Sequence, residues 1–100
     1  MLFRSKDVAD HIDYVRKTAG VDHVGIGSDF YGSSDMPQGL EDVSRFPNLI
    51  AELIRRGWTD ADLAKLTGGN ILRVLRSVEV RAARIQKQRP PSTATFERMR

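Results

Sequence analysis

The sequence predicts a mostly helical α/β chain with one main strand, at about residues 23–30. Two patterns carry this prediction. Three long stretches repeat apolar residues every three or four positions, as helices do, whereas one short run alternates apolar residues with glycine or polar residues. At 100 residues the chain forms one domain at most, and its hydrophobic fraction of 40% is typical of a globular protein.

The first helix is predicted from Lys6 to Ala19. Ser5 can cap its N-terminus, and Gly20 stands where a glycine commonly ends a helix. Apolar residues line one face of this helix at Val8, Ile12, Val15 and Ala19.

The predicted strand at residues 23–30 ends in a carboxylate. If the run is extended, its side chains alternate between two faces. One face would carry His23, Gly25, Gly27 and Asp29, and the other Val24, Ile26, Ser28 and Phe30. Glycines in a strand often mark a close backbone approach or space kept for another group. Two interpretations of Asp29 stay open from the residues alone: an acid held for chemistry at the strand's C-terminal end, or a turn residue followed by Gly32.

A second helix follows a loop at residues 31–40, which is longer than most connections in α/β proteins. Pro47 suits the first turn of this helix, and Gly57 ends it. Its apolar face is predicted to carry Leu49, Ile50, Leu53 and Ile54.

Two more helices complete the predicted elements. Thr59 followed by Asp62 resembles a capping box, so a third helix is expected over residues 60–66. Asn70 is predicted to cap a fourth helix that runs to about Gln88, before a Pro-Pro pair. Its apolar positions are Ile71, Val74, Leu75 and Val78.

A single buried strand among four helices has no neighbour to satisfy its backbone groups. Either another chain or a part of the protein outside this sequence therefore supplies the rest of the sheet.

Composition and motifs exclude several classes of site. The sequence has no cysteine, so it offers no disulfide framework or thiolate ligand, which fits a reducing compartment. It has no dinucleotide fingerprint, no phosphate loop and no zinc-binding histidine pair at helical spacing. No apolar leader, lipid-anchor signal or membrane span is recognisable, and the expected location is cytoplasmic.

Charge is distributed unevenly along the chain. Residues 81–100 carry six basic side chains against one acid, whereas residues 1–80 carry ten basic and twelve acidic side chains. A basic tail can contact nucleic acid, but this one lacks the interleaved aromatic rings of a single-strand platform. We therefore expect a solvated, disordered tail and no nucleic-acid partner.

Four blocks of sequence follow one another: His-Val-Gly-Ile-Gly-Ser-Asp-Phe at 23–30, Pro-x-Gly-Leu-Glu-Asp-Val-Ser-x-Phe-Pro at 37–47, Ala-Glu-Leu-Ile-Arg-Arg-Gly at 51–57 and Gly-Gly-Asn-Ile-Leu-Arg-Val-Leu at 68–75. In this order they resemble the C-terminal end of the membrane (renal) dipeptidase family. The likeness runs from about Val8 to Glu79.

The resemblance implies a (β/α)8 TIM barrel, of which residues 1–80 would form the last helix–strand–helix units and 81–100 the tail. It also implies a zinc metallopeptidase that cleaves dipeptides, with a binuclear centre that activates the attacking water. Asp29 matches the family's acid that passes the water's proton to the leaving amine, so the resemblance implies a catalytic role for Asp29.

This chain departs from the family pattern in two ways. Tyr31 stands where the family usually has a second acid, which bears on the loop's geometry or substrate contacts. The family's zinc ligands belong to earlier strands, and a whole barrel needs roughly 250 residues. We therefore expect no zinc ligand in this chain, no hydrolysis by the chain alone, and a dipeptide as the partner of the complete enzyme.

Two alternatives remain. One is a non-catalytic small helical binding module whose basic tail contacts nucleic acid or an acidic partner. The other is a homo-oligomer in which the predicted strand pairs with its copy in a second chain.

Overall fold

The structure is a computed structural model that describes residues 3–99. Four α-helices provide most of its regular structure: α1 (Ser5–Ala19), α2 (Phe46–Arg55), α3 (Asp60–Ala64) and α4 (Asn70–Gln88). A π-helical turn, Lys65–Gly69, joins α3 to α4. All four predicted helices are confirmed, and each begins and ends within two residues of its predicted bounds.

The predicted strand at residues 23–30 is wrong, because this stretch is not a strand in the structure. No strand forms within residues 3–99, where the one β-type contact is an isolated parallel bridge between Arg4 and Gln38. Val24 nevertheless has the backbone angles of a strand, φ −124° and ψ 141°. The prediction fails because a strand needs hydrogen bonds to a neighbour, and the described residues offer no second strand. Residues 24–28 are called the unpaired segment below.

The hydrophobic core lies between α1, α2, α3 and the unpaired segment. Its buried residues are Ala9, Ile12, Val24, Leu40, Leu49, Leu53, Trp58, Leu63 and Leu66. The first half of the predicted apolar face of α1 packs here, whereas Val15 and Ala19 remain exposed.

Charged side chains join α1 to the end of α2. The Arg56 guanidinium lies 2.8 Å from carboxylate oxygens of both Asp10 and Asp13. Asp13 also accepts a hydrogen bond of 2.8 Å from the indole N–H of Trp58. Burial raises the pKa of Asp13, but the hydrogen bonds from Arg56 and Trp58 outweigh it and hold that pKa below its usual value. These contacts fix the two helices against each other along their polar sides.

A second ion pair ties α1 to α3. Arg16 stacks over the Trp58 ring at 4.4 Å and pairs with Asp62 at 3.0 Å. Asp62 also completes the predicted capping box, because its backbone N–H donates to the Thr59 hydroxyl and its carboxylate accepts from the Thr59 N–H. The cap predicted for α3 is therefore confirmed.

Helix α4 extends away from the body of the domain. All of its side chains from 71 to 81 are exposed, including the apolar face predicted to pack (Ile71, Val74, Leu75 and Val78). The radius of gyration is 18.6 Å, against about 13 Å for a compact domain of this length. The helix also crosses the predicted domain boundary at residue 80, and the division into residues 1–80 and 81–100 stays a prediction.

None of the helices formed by residues 3–99 is both long enough and apolar enough to cross a bilayer. The cytoplasmic location stays a prediction.

Candidate functional site

The unpaired segment presents two different faces, as its alternating pattern predicts. Val24 is buried, and Ile26, Ser28 and the following Phe30 are half-buried against the core. On the other side, His23, Gly25, Gly27 and Asp29 are all exposed. The segment therefore has a covered face of apolar side chains and a bare face that ends in a carboxylate.

Asp29 begins a tight turn at the end of this segment. Its φ of 52° is in the left-handed region, which Asp and Asn tolerate better than other non-glycine residues. Its carbonyl oxygen accepts a hydrogen bond of 2.9 Å from the N–H of Gly32. The turn role considered for Asp29 is thus present, and it places the exposed carboxylate just beyond the bare face.

Gly32 leaves room for the Asp29 carboxylate. A Cβ built on Gly32 would overlap one Asp29 carboxylate oxygen and lie 2.7 Å from the other. The carboxylate therefore folds back over position 32, an orientation that the absence of a side chain there permits. Tyr31, between the two residues, is fully exposed.

Asn70, at the start of α4, binds the backbone at the start of the unpaired segment. Its side-chain amide donates hydrogen bonds to the carbonyl oxygens of Val21 (2.7 Å) and Val24 (2.9 Å), and its oxygen accepts one of 2.9 Å from Arg73. Arg73 also donates to the Asp22 carbonyl at 2.6 Å. Among the polar residues within 3–99, Asn70 is the buried one, with 5% of its surface exposed.

The sequence analysis missed this role of Asn70. It predicted an N-cap, but Asn70 has helical backbone angles and α4 has no side-chain cap, so that prediction is wrong. The Asn70 side chain does not cap α4, because its amide donates to two carbonyl groups at the preceding turn that would otherwise lack donors. No local pattern signals this role, because the two carbonyl groups lie 49 and 46 positions before Asn70.

Replacing Asn70 by Leu is expected to lower the free energy of unfolding by about 1–3 kcal/mol, because two carbonyl groups lose their side-chain donor and the Arg73 guanidinium loses one of its two acceptors. Urea denaturation would measure the loss. Asn48→Leu is the matched control, since the Asn48 amide makes one exposed hydrogen bond, to the Gly39 carbonyl, and should cost under about 1 kcal/mol. Equal losses in both variants would contradict the role given to Asn70.

A groove of about 300 Å³ lies near the site but on its covered face. It is lined by Ile26, Ser28, Phe46, Ile50 and Thr67. Because Ile26 and Ser28 face away from Asp29, this groove does not share a surface with the candidate acid.

The side chains of residues 3–99 do not suit a zinc centre. No group of three or more His, Asp or Glu side chains in that part of the chain is placed so that it could hold a metal ion. His11 lies on α1 and His23 ends the 3₁₀ turn that follows α1, and each borders a different groove. Since structural and catalytic zinc sites need at least three converging protein ligands, no ligand set is assigned to this chain.

Comparisons with known proteins give one family. The sequence model of the family described as membrane dipeptidase (peptidase family M19) matches residues 4–89. Dipeptidase aclJ of Aspergillus oryzae is 60% identical to this chain over 73 residues, which cover 73% of this chain and 17% of that protein.

Two further relatives give the same result. Dipeptidase ataJ of Aspergillus terreus is 53% identical over 81 residues, covering 81% of this chain and 20% of that protein. Dipeptidase 3 of Rattus norvegicus is 48% identical over 79 residues, which cover 79% of this chain and 16% of that protein. The chain thus spans a fifth or less of the length of these curated relatives.

Proposed function

Because this chain belongs to the membrane dipeptidase family, we propose that it is the C-terminal part of a zinc-dependent dipeptidase, which hydrolyses the peptide bond of a dipeptide. The observation that carries the proposal is the unpaired segment, with one face packed on helices and the other bare. A strand of a (β/α)8 barrel has these two surroundings, helices outside and the barrel interior inside. The chain alone, which spans so little of its relatives, is proposed to be inactive.

Asp29 is the residue to which we assign chemistry. It follows the unpaired segment on the bare side, and the C-terminal ends of barrel strands are where such enzymes bind substrate. Its carboxylate would accept the proton of the attacking water and donate it to the leaving amine of the dipeptide. The family resemblance implies two zinc ions, but their ligands would lie outside this sequence.

A chimeric enzyme tests the proposal. The segment of Dipeptidase aclJ that matches this chain over 73 residues is replaced by the matching residues of this chain, and dipeptide hydrolysis is measured with added zinc. We expect the chimera to hydrolyse dipeptides and this chain alone to hydrolyse none. The unmodified relative, assayed in parallel, is the control.

Two outcomes would count against the proposal. A chimera that folds, as judged by circular dichroism, but hydrolyses nothing would favour the alternative of a non-catalytic binding module with a basic tail. Zinc-dependent hydrolysis by the isolated chain would mean that the proposed incomplete site is wrong.

A further inference from the structure

Helix α4 carries a row of basic side chains along one side. At 3.6 residues per turn, four of them fall within about 140° of the helix circumference. Glu79, the one acid in the sequence of α4, lies outside this arc. The four side chains, called the basic face below, are those of Arg76, Arg81, Arg84 and Lys87.

No acid of the described part neutralises the basic face. Among residues 3–99, none of its four side chains makes an ion pair, whereas Arg16, Arg55 and Arg56 each pair with a carboxylate. All four are exposed. The exposed apolar residues of α4 lie mainly on the other side of the helix, at Ile71, Val74, Leu75 and Val78. The basic face is therefore a concentrated positive surface, open to an anionic partner.

A shallow groove of about 370 Å³ runs along this surface. It is lined by Arg76, Ser77, Val80, Arg81 and Arg84. Guanidinium groups bind phosphate oxygens through paired hydrogen bonds, and the Ser77 hydroxyl adds a further donor. Val80, which is 60% exposed, places an apolar side chain among these donors. The groove thus suits a partner that offers phosphate groups and apolar surface together.

We propose that the basic face of α4 binds the surface of an anionic phospholipid membrane, with the groove around Val80 at the level of the headgroups. Four or more Lys or Arg side chains on one amphipathic helix are typical of segments that bind acidic lipids. The row extends for about 17 Å along the helix axis, so a flat membrane surface can contact all four cations at once. This inference goes beyond the proposed dipeptidase activity and does not depend on it.

Two features favour lipid over nucleic acid as the partner. The sequence of α4 contains no aromatic residue on which a base could stack. Val80 lies at the centre of the basic face, where it would meet only sugar and phosphate in a nucleic acid but can contact the upper acyl chains of a lipid layer. The anionic partner is therefore assigned as a membrane surface.

Sedimentation with lipid vesicles tests the proposal. The full chain is mixed with vesicles of phosphatidylserine and phosphatidylcholine in equal parts, and separately with vesicles of phosphatidylcholine alone. We expect binding to the first and none to the second. Raising the salt concentration from about 0.01 M to about 1 M shortens the Debye length from about 30 Å to about 3 Å, so it should release the chain.

A pair of double variants makes the test specific to the basic face. Arg81→Gln with Arg84→Gln removes two of its four charges and should lower vesicle binding by at least about tenfold. Lys6→Gln with Lys17→Gln is the matched control, because it removes the same charge from exposed positions of α1 and should lower binding by less than about threefold. Glutamine favours helices as arginine and lysine do, and circular dichroism checks that helix content is unchanged.

Three outcomes would overturn the proposal. An equal loss in both double variants would mean that the net charge of the chain, and not the basic face, determines binding. Equal binding to phosphatidylcholine alone, or binding that persists at high salt, would mean that the contact is not electrostatic. If the chain ignores vesicles but binds a duplex or single-stranded oligonucleotide that the Arg81 and Arg84 substitutions release, the partner is nucleic acid.

Discussion

Replacing Asp29 by Asn in the chimera is expected to lower kcat by about 10²–10⁴-fold, the usual contribution of a general acid–base residue. Asn suits the left-handed backbone at this position, where φ is 52°, so the turn should survive while the proton acceptor is lost. Steady-state kinetics on dipeptides would measure the loss.

Asp35→Asn is the matched control for this prediction. Asp35 is an exposed acid of the same loop, so the same charge is removed six residues away without touching the turn. Activity of the Asp35→Asn chimera should stay within about twofold of the parent. If Asp29→Asn has an equally small effect, Asp29 is a turn residue and not the proton shuttle.

Replacing Leu53 by Ala is expected to lower the free energy of unfolding of this chain by about 2–5 kcal/mol. Leu53 is fully buried between α1, α2 and α3, so truncation removes apolar contacts and leaves a cavity. For a domain with a small core, this is a large fraction of its total stability. Urea denaturation followed by circular dichroism would measure the change.

Ile54→Ala provides the matched control on the same helix. Ile54 is 55% exposed, and alanine favours helix formation, so this variant should change stability by less than about 0.5 kcal/mol. Comparable losses at positions 53 and 54 would mean that α2 is buried on both sides, for example by association with another chain.

The helices could be predicted because each is encoded locally. Periodic apolar residues, the glycine after α1 and the Thr59–Asp62 box all act within a few residues of the helix they define. Packing was less predictable. Ile54 was placed on the apolar face of α2, and Ile71 on that of α4, yet both are exposed in the part of the chain that the structure describes.

The strand and the Asn70 contacts depend on distant residues. Alternation correctly predicted which side chains of residues 24–28 share a face, but pairing needs a partner strand, which no local pattern supplies. Asn70 serves carbonyl groups 46 and 49 positions earlier, and only the folded chain brings them together. The catalytic role of Asp29 came from the family resemblance and stays a prediction.

The contact between Gly32 and the Asp29 carboxylate has a consequence for how this stretch can diverge. Any side chain at position 32 would push the carboxylate aside before it disturbed the backbone, because the atoms in the way are the ends of the Asp29 side chain. If the proposed proton transfer depends on this orientation of the Asp29 carboxylate, the two positions should covary: a sequence that keeps the acid at 29 should keep glycine at 32, and one that loses the acid is released from it. A residue other than glycine at position 32 would then mark related sequences in which the acid at position 29 is no longer selected.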